Sequence, residues 1–313
     1  MKRRRWLRHA VAGVTAGAVS WWPWVPARAG QAPLLLPLWP GPPPGGGGPQ
    51  GLPHVSARGA LSHLATPALE VYRPSRPNGA AMLVAAGGGY RRMEMDQEAR
   101  PAACWLAERG VTAFVLRYRL PGEGWVAGPL APLQDAQRAL RLIRAQSAAF
   151  QLDPARLGVL GFSAGGHLMG LAATRSQPPS YPPLDAVDRH SARPDAAALI
   201  YPVITLLPPY DHTATRKVLV GEHPDAARSH AWSVETGVTT DCPPVFLLQA
   251  ADDPISNPAN TALMLQACER AAVTAERHLL PAGGHGFGMG RTEGPTARWP
   301  EELARWMRGL ALI

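Results

Sequence analysis

The sequence contains only three cysteines, and their positions do not suit a metal site. Cys104, Cys242 and Cys268 lie far apart, and no C-x-x-C spacing occurs. Neither a zinc site nor a disulfide framework is therefore predicted. Cys104 and Cys268 fall within predicted helices, where we expect buried free thiols.

Charged residues are few, at 17% of the chain, and outside the N-terminus the two signs nearly balance. The formal net charge of +8 arises mainly from residues 1–29, which hold six basic residues and no acidic one. The remaining chain has 25 basic and 23 acidic residues. This near-neutral balance gives no reason to expect nucleic acid as a partner.

The N-terminus has no apolar run long enough to cross a bilayer. Its run from Ala10 to Trp22 covers 13 residues, whereas a spanning helix needs about 20. The basic start, this run and the small-x-small site Ala27-Arg28-Ala29 predict a cleaved export signal over residues 1–29. The stretch Arg3-Arg4-Arg5-Trp6-Leu7-Arg8 resembles a twin-arginine signal, and a general secretory signal is the alternative. We expect a periplasmic or secreted protein without a stable membrane anchor.

Proline and glycine dominate residues 30–56, including the run Pro42-Pro-Pro-Gly-Gly-Gly-Gly-Pro49. Such a stretch forms neither a helix nor a central strand, so we expect it to lie extended over the surface or to stay mobile. Over residues 57–313 predicted strands alternate with predicted helices, and we find no internal repeat. The pattern predicts a single α/β domain whose mainly parallel central sheet has helices on both faces.

Two segments of this domain carry more specific expectations. Leu69-Glu-Val-Tyr-Arg73 alternates apolar and polar residues, which predicts a half-buried edge strand. Residues 203–243 show no clear periodicity, and we expect a lid or substrate loop there.

One stretch has the pattern of a strand, a sharp turn and a helix. The apolar residues of Leu157–Leu160 predict the strand, and Gly161-Phe-Ser-Ala-Gly165 predicts the turn. This is the setting of a G-x-S-x-G nucleophile elbow, in which glycines are needed because the strand and the helix pass close together. Ser163 is therefore the candidate nucleophile, and an ordinary turn serine is the alternative interpretation.

A glycine run, Gly87-Gly-Gly-Tyr90, directly follows the apolar segment Ala80–Ala86. Glycines let backbone N–H groups approach an oxygen that becomes negative during acyl transfer. The run is not part of a G-x-G-x-x-G pattern and has no P-loop lysine, which disfavours phosphate binding. We predict an oxyanion hole formed by Gly88, Gly89 and Ala164, with a flexible turn as the alternative.

A serine hydroxyl needs a base to take its proton and an acid to orient that base. In a strand–helix fold with this elbow, the acid and then the histidine follow the serine along the chain. Asp253 follows the predicted strand that ends at Ala250, and His285 follows the one that ends at Leu280. We predict a triad of Ser163, Asp253 and His285, with Asp252 as the alternative acid.

The remaining candidates have structural interpretations. His167 is expected to pack within the helix after the elbow, and His212 and His278 to be surface or structural residues. Asp135 lies on a predicted amphipathic helix and is expected to be structural. No metal, nucleotide or organic cofactor is predicted, and the expected partner is a small-molecule or carbohydrate ester.

Several short motifs resemble those of a known family. They are Leu38-Trp-Pro-Gly41, Gly87-Gly-Gly-Tyr90, Phe114-Val-Leu-Arg-Tyr-Arg119, Gly161-Phe-Ser-Ala-Gly-Gly-His167, Ala192-Arg-Pro-Asp195, Tyr201-Pro-Val203, Ala251-Asp-Asp-Pro254 and Gly283-Gly-His-Gly-Phe287. Together they resemble secreted α/β-hydrolase-fold serine esterases of the acetyl-xylan-esterase-like, BD-FAE-like family. The resemblance implies an α/β-hydrolase fold and hydrolysis of short acyl esters, typically acetyl groups on carbohydrate such as xylan. This chain departs from the family where it has Ser256-Asn257 in place of the frequent Val-Pro.

Three classes of function are compatible with these patterns. The first is a carboxylic ester hydrolase that forms an acyl-enzyme on Ser163. The second is a prolyl-oligopeptidase-like peptidase, which the lack of propeller-type repeats disfavours. The third is a non-catalytic binding module, which the presence of all three triad residues disfavours.

Overall fold

The computed structural model describes residues 33–313, and the predicted export signal lies outside them. The strands are β1 (Leu34–Pro37), β2 (His54–Val55), β3 (Leu61–Ser62), β4 (Ala68–Tyr72), β5 (Ala81–Ala85), β6 (Thr112–Arg117), β7 (Leu157–Phe162), β8 (Ala196–Ile200), β9 (Val245–Ala250) and β10 (Ala275–Leu280). The α-helices are α1 (Arg100–Ala107), α2 (Ala131–Ala145), α3 (Ser147–Phe150), α4 (Ala164–Thr174), α5 (Ala214–Val220), α6 (Ala226–Trp232), α7 (Ala259–Arg270) and α8 (Trp299–Gly309). A π-helical turn, Met95–Ala99, leads directly into α1.

Eight strands form one sheet in the order β1-β4-β6-β5-β7-β8-β9-β10. The six strands from β6 to β10 in this order are parallel, whereas β4 is antiparallel to β6 and β1 is antiparallel to β4. Every residue of β5, β7, β8 and β9 is buried. Because successive side chains of a strand point to opposite faces, both faces of the central sheet are covered. The predicted mainly parallel sheet is confirmed.

The strand order brings five loops to one edge of the sheet. Strands β5, β7, β8, β9 and β10 are consecutive neighbours and run in the same direction. Their carboxyl ends therefore lie side by side, which is where open α/β sheets place their sites. The candidate serine, acid, histidine and glycine run each follow one of these strands.

The prediction of a half-buried edge strand at residues 69–73 is wrong. In β4 the first four residues are buried, including Glu70, and the strand is paired on both sides. The strand that covers it, β1, comes from the proline- and glycine-rich stretch that we expected to lie over the surface or stay mobile. Leu38 and Trp39, directly after β1, are also buried. A proline can end an edge strand because no neighbour there needs its missing N–H group.

Residues 203–243 contain two short helices, α5 and α6, which the sequence pattern did not indicate. Each helix has seven residues, too few for the 3.6-residue period to be visible. Both begin at a capping side chain: Thr213 accepts a hydrogen bond from the N–H of Arg216, and Asp225 accepts one from the N–H of Arg228. Such caps satisfy N–H groups that the first turn leaves without partners.

The cysteines of the described part of the chain agree only partly with expectation. All three cysteines are free thiols, and Cys268 is buried as predicted. Cys104 is exposed, because it lies on the outer face of α1, so the expectation of burial is wrong there. Among residues 33–313, no helix combines the length and apolar character required to span a membrane.

Candidate active site

Ser163 lies at the sharp turn between β7 and α4. Its backbone has φ of 51° and ψ of −116°, a conformation that is strained for a residue with a β-carbon. The turn is closely packed: a β-carbon at Gly161 would overlap the carbonyl of Gly165, and one at Gly165 would overlap the carbonyls of Ala85 and Ala86. Glycine at both positions therefore lets the helix start directly against β5 and β7.

The structure brings the predicted serine, histidine and aspartate into one chain of contacts. Nε2 of His285 lies 2.8 Å from Oγ of Ser163, and Nδ1 of His285 lies 2.7 Å from Oδ2 of Asp253. Because a carboxylate only accepts hydrogen bonds, the proton on Nδ1 belongs to the imidazole. Nε2 is then free to accept the hydroxyl proton of Ser163, which is the geometry of an activated serine. The side chain of Asp253 is fully buried, and that of His285 is 16% exposed.

The two adjacent aspartates have different surroundings. Asp253 accepts hydrogen bonds from the N–H groups of Ile255 and Ser256 through Oδ1, which leaves Oδ2 directed at the histidine. Asp252 is exposed and accepts from the N–H groups of Gly283 and Gly284. Asp253 is therefore the aspartate in contact with the candidate histidine, whereas Asp252 binds the backbone of the turn that precedes this histidine.

Ser256 occupies the position where the sequence departs from the family pattern, and it is bonded into the site. Its N–H group donates to Asp253, its hydroxyl donates to the carbonyl of Pro202 at 2.6 Å, and its carbonyl accepts from Gln249. The substitution therefore leaves the acid loop anchored to the loop after β8.

The loop after β5 and the first residue of α4 together leave three N–H groups near the candidate serine without a partner among the residues that the structure describes. Gly87 donates its N–H to Oε2 of Glu98, at 2.6 Å, so this group is occupied. Gly88 and Gly89 follow with φ of 116° and 64°, values that favour glycine. Within residues 33–313, the N–H groups of Gly88, Gly89 and Ala164 donate to no protein acceptor. These are the three groups that the sequence indicates as oxyanion donors.

Sequence reasoning missed two buried residues that join the loops of the site. Glu98 is 3% exposed, and its Oε1 accepts a hydrogen bond of 2.9 Å from the hydroxyl of Tyr201. The same hydroxyl accepts from the N–H of Gly288, at 3.1 Å. The signal for Glu98 was a carboxylate three residues after Met95 and four before Ala102, on the apolar face of a helix.

Burial dominates the electrostatics of these groups. It raises the pKa of Glu98 to about 7, although hydrogen bonds from Gly87 and Tyr201 and the nearby charge of His285 act in the opposite direction. Burial also raises the pKa of Tyr201 well above its usual value, so its hydroxyl stays protonated. The Tyr201 ring packs edge-on against His285, with centroids 4.9 Å apart.

The other candidates take structural positions. His167 is buried in α4, where the hydroxyl of Tyr90 contacts Nδ1 and the carbonyl of Trp232 contacts Nε2. His278 stacks on Phe246, and the side chain of His212 is largely exposed. Asp135 is fully buried in an ion pair with Arg119. The described part of the chain contains no group of three histidine, cysteine or acidic side chains that could hold a metal ion.

Comparison with solved structures gives a close match in fold. The crystal structure of an acetyl ester-xyloside bifunctional hydrolase from Caldicellulosiruptor lactoaceticus is 33% identical, with a TM-score of 0.74. The alignment covers 91% of this chain and all of that chain. A carboxylesterase from Lactobacillus plantarum is 25% identical, with a TM-score of 0.66, and the alignment covers 84% of this chain and 98% of that one. The predicted α/β-hydrolase fold is thereby confirmed.

Curated relatives are longer than this chain. An acetylxylan esterase from Xylanibacter ruminicola is 26% identical over 244 residues, which are 76% of this chain and 47% of the relative. An endo-1,4-beta-xylanase B from Butyrivibrio fibrisolvens is 32% identical over 217 residues, which are 68% of this chain and 33% of the relative. The chain thus spans less than half the length of each. The BD-FAE family model matches residues 69–267, a range that holds Ser163, Asp253 and the glycine run. This match, together with the match over the whole Caldicellulosiruptor hydrolase, establishes that the chain belongs to the BD-FAE family.

Proposed function

We propose that this protein is a serine esterase that hydrolyses short acyl esters, with Ser163, His285 and Asp253 as its triad. The observation that carries the proposal is the pair of contacts at 2.8 and 2.7 Å that joins the three side chains. His285 takes the hydroxyl proton of Ser163 while Oγ attacks the ester carbonyl carbon. Asp253 holds the imidazole in the required tautomer and stabilises the imidazolium that forms.

The oxygen of the attacked carbonyl becomes negative in the tetrahedral intermediate. The N–H group of Ala164, at the start of α4, and those of Gly88 and Gly89 are the donors proposed to stabilise it. Ala164 contributes a group that the first helical turn leaves without a partner. Preorganised donors of this kind typically lower the barrier by about 3 kcal/mol each.

The intermediate then collapses and the ester C–O bond breaks. His285 returns its proton to the departing alcohol, and the acyl group stays on Ser163 as an ester. Water attacks this acyl-enzyme while His285 takes a proton from it, and the free acid and the serine hydroxyl are regenerated. Every proton in the cycle passes through Nε2 of the histidine.

We propose acetyl esters of carbohydrates, xylan among them, as the substrate class. The names of two relatives support this class: one is an acetylxylan esterase and one is an acetyl ester-xyloside hydrolase. The named carboxylesterase relative supports the broader assignment to carboxylic esters.

Hydrolysis of p-nitrophenyl acetate and butyrate by the wild-type protein and Ser163→Ala tests the proposal. We expect the variant to lose at least about three orders of magnitude in kcat, and the wild type to prefer acetate. Acetate release from acetylated xylan then tests the carbohydrate class. Equal rates in the two proteins, or cleavage of a peptide amide in preference to the esters, would exclude this function.

We also propose that residues 1–29 direct export, by the twin-arginine route. The basic start and the Ala27-Arg28-Ala29 site support this. N-terminal sequencing of the protein from periplasm or medium should find a chain that begins at Gly30. Replacing Arg3 and Arg4, the arginine pair of this motif, with lysine should keep the uncleaved chain in the cytoplasm. Continued export of that variant would favour the general secretory route.

A further inference from the structure

Three loops of the candidate site, those after β5, β8 and β10, are joined through one buried carboxylate. Glu98, at the end of the π-helical turn before α1, accepts from Gly87 in the loop after β5 and from Tyr201 in the loop after β8. Through the Tyr201 hydroxyl it is also connected to Gly288, three residues after His285. Because Gly87 comes directly before the oxyanion glycines, Glu98 is linked to both sides of the reacting centre.

We propose that Glu98 and Tyr201 form one positioning unit that holds two loops at a fixed separation across Ser163. One is the glycine run Gly87-Gly-Gly-Tyr90 after β5, here called the oxyanion loop. The other is the loop after β10 that carries His285, here called the histidine loop. This inference rests on the proposed esterase function. Neither residue touches the reacting atoms, so both act through the groups that they hold.

The hydrogen bonds explain why the unit controls the oxyanion loop. With its N–H group bonded to Glu98 and its carbonyl accepting from the N–H of Glu94, Gly87 has both sides of its backbone fixed. The next two N–H groups can then face the site. A β-carbon at Gly87 would lie 2.8 Å from the β-carbon of Ser163, so the loop and the nucleophile are in close contact. A shift of the carboxylate would move the donors relative to Oγ.

The unit also acts on the histidine. Tyr201 has φ of 37°, an unusual backbone conformation for a tyrosine, and this places its ring against the imidazole of His285. The hydroxyl of Tyr201 donates its single proton to Glu98 and accepts a hydrogen bond from the N–H of Gly288. Its capacity to donate is therefore fully used. Removing this hydroxyl would leave the Oε1 atom and the Gly288 N–H group buried and unpaired, which favours displacement of the histidine loop.

Glu98 is also coupled to His285 by charge. The titratable groups that face it are Glu94 directly before its turn, Tyr118 after β6, Tyr201 after β8 and His285 after β10. The charge of His285 lowers the pKa of Glu98, so the carboxylate and the histidine loop are also linked electrostatically.

The test uses Glu98→Gln, Tyr201→Phe and the double variant on p-nitrophenyl acetate. Each single variant should lose about 10- to 100-fold in kcat, the loss expected from a misplacement of about 1 Å, with little change in KM. The double variant should lose no more than the worse single variant, because the two residues act through one chain of bonds.

Tyr181→Phe provides the matched control. Tyr181 is a buried tyrosine whose hydroxyl donates to Asp188, outside the candidate site, so its kcat should stay near the wild-type value. If Glu98→Gln fails to fold, Tyr201→Phe still reports on the unit. Folded variants with wild-type kcat, or losses that multiply in the double variant, would overturn the proposal.

A fluorophosphonate probe separates this proposal from the esterase assignment. If the wild type labels at Ser163 but hydrolyses no ester, the proposed function fails, and slower labelling of both variants would still support the positioning unit. Equal labelling rates in wild type and variants would overturn it. A wild-type protein that neither hydrolyses esters nor labels would overturn both.

Discussion

The hydroxyl of Tyr90 lies 3.0 Å from Nδ1 of His167, so the loop after β5 is bonded to the helix that follows Ser163. The other ring nitrogen contacts the carbonyl of Trp232, at the end of α6, at 2.8 Å. Because a carbonyl only accepts, Nε2 carries the proton and Nδ1 accepts from Tyr90. One neutral imidazole thereby joins the loop after β5, helix α4 and the segment 203–243.

Replacing His167 should lower stability in a pH-dependent way. Burial lowers the pKa of His167 to about 4. Between pH 4 and 6.5 the unfolded chain takes up a proton that the folded chain excludes, so the wild type loses stability as pH falls, by about 2 kcal/mol at pH 5. His167→Gln removes the imidazole that takes up this proton in the unfolded chain. The free energy of unfolding, measured with urea at pH 5 and 7, should therefore depend less on pH in the variant than in the wild type. An unchanged dependence would contradict the assignment.

Glu98 should show the opposite dependence. Its carboxyl has an ordinary pKa of 4.5 and a folded pKa of about 7. Between these values the folded chain keeps a proton that the unfolded chain releases, so the contribution to stability falls as pH rises. Glu98→Gln should therefore gain stability relative to the wild type between pH 5 and 7.5, as measured by thermal or urea unfolding. A relative loss over this interval would show that Glu98 is already ionised at low pH.

The two aspartates after β9 should differ strongly in their effect on rate. Asp253→Asn removes the acceptor that fixes the tautomer of His285, and kcat should fall by about 10⁴-fold, as in other triads. Asp252→Asn retains an oxygen that accepts from Gly283 and Gly284, so its kcat should stay within about 10-fold of wild type. Steady-state kinetics on p-nitrophenyl acetate compares them, and a larger loss in Asp252→Asn would reverse the assignment.

Close packing at the elbow predicts that Gly165→Ala is strongly destabilising. The added methyl group would meet two backbone carbonyls at the end of β5, and backbone cannot yield as a flexible side chain does. Overpacking of this kind costs about 1–3 kcal/mol or more. Gly122→Ala, in a loop where a β-carbon has open space, is the control and should keep its melting temperature. Similar melting temperatures for the two variants would refute the crowding argument.

The buried ion pair of Arg119 and Asp135 should stabilise the N-terminal stretch. Asp135 accepts from Nε1 of Trp39, just after β1, and from the backbone and side chain of Arg119. Asp135→Ala leaves the guanidinium buried without its partner, which costs about 3–5 kcal/mol. Trp39→Phe removes a single hydrogen bond and should cost less. Limited proteolysis should cleave residues 38–48 faster in Asp135→Ala, and equal cleavage would show that the pair does not hold the stretch.

Local patterns predicted the parts of the site that follow strands. Ser163, Asp253 and His285 each come shortly after a predicted strand, and a parallel sheet brings such strand ends together. Glu98 and Tyr201 were not identified, because their contact depends on which strands are neighbours and no local pattern records that. The pairing of β1 with β4 escaped prediction for the same reason, since it joins residues more than thirty positions apart.

The neighbouring positions of β5, β7, β8, β9 and β10 have a consequence for how such proteins diversify. Strands in a sheet are held about 4.8 Å apart by backbone hydrogen bonds, so the spacing of the reacting groups is set by the backbone ladder. The long connections between these strands, such as residues 203–243, can then change in length and composition without altering that spacing. Exchange of this segment between family members offers a direct route to altered substrate preference with unchanged chemistry.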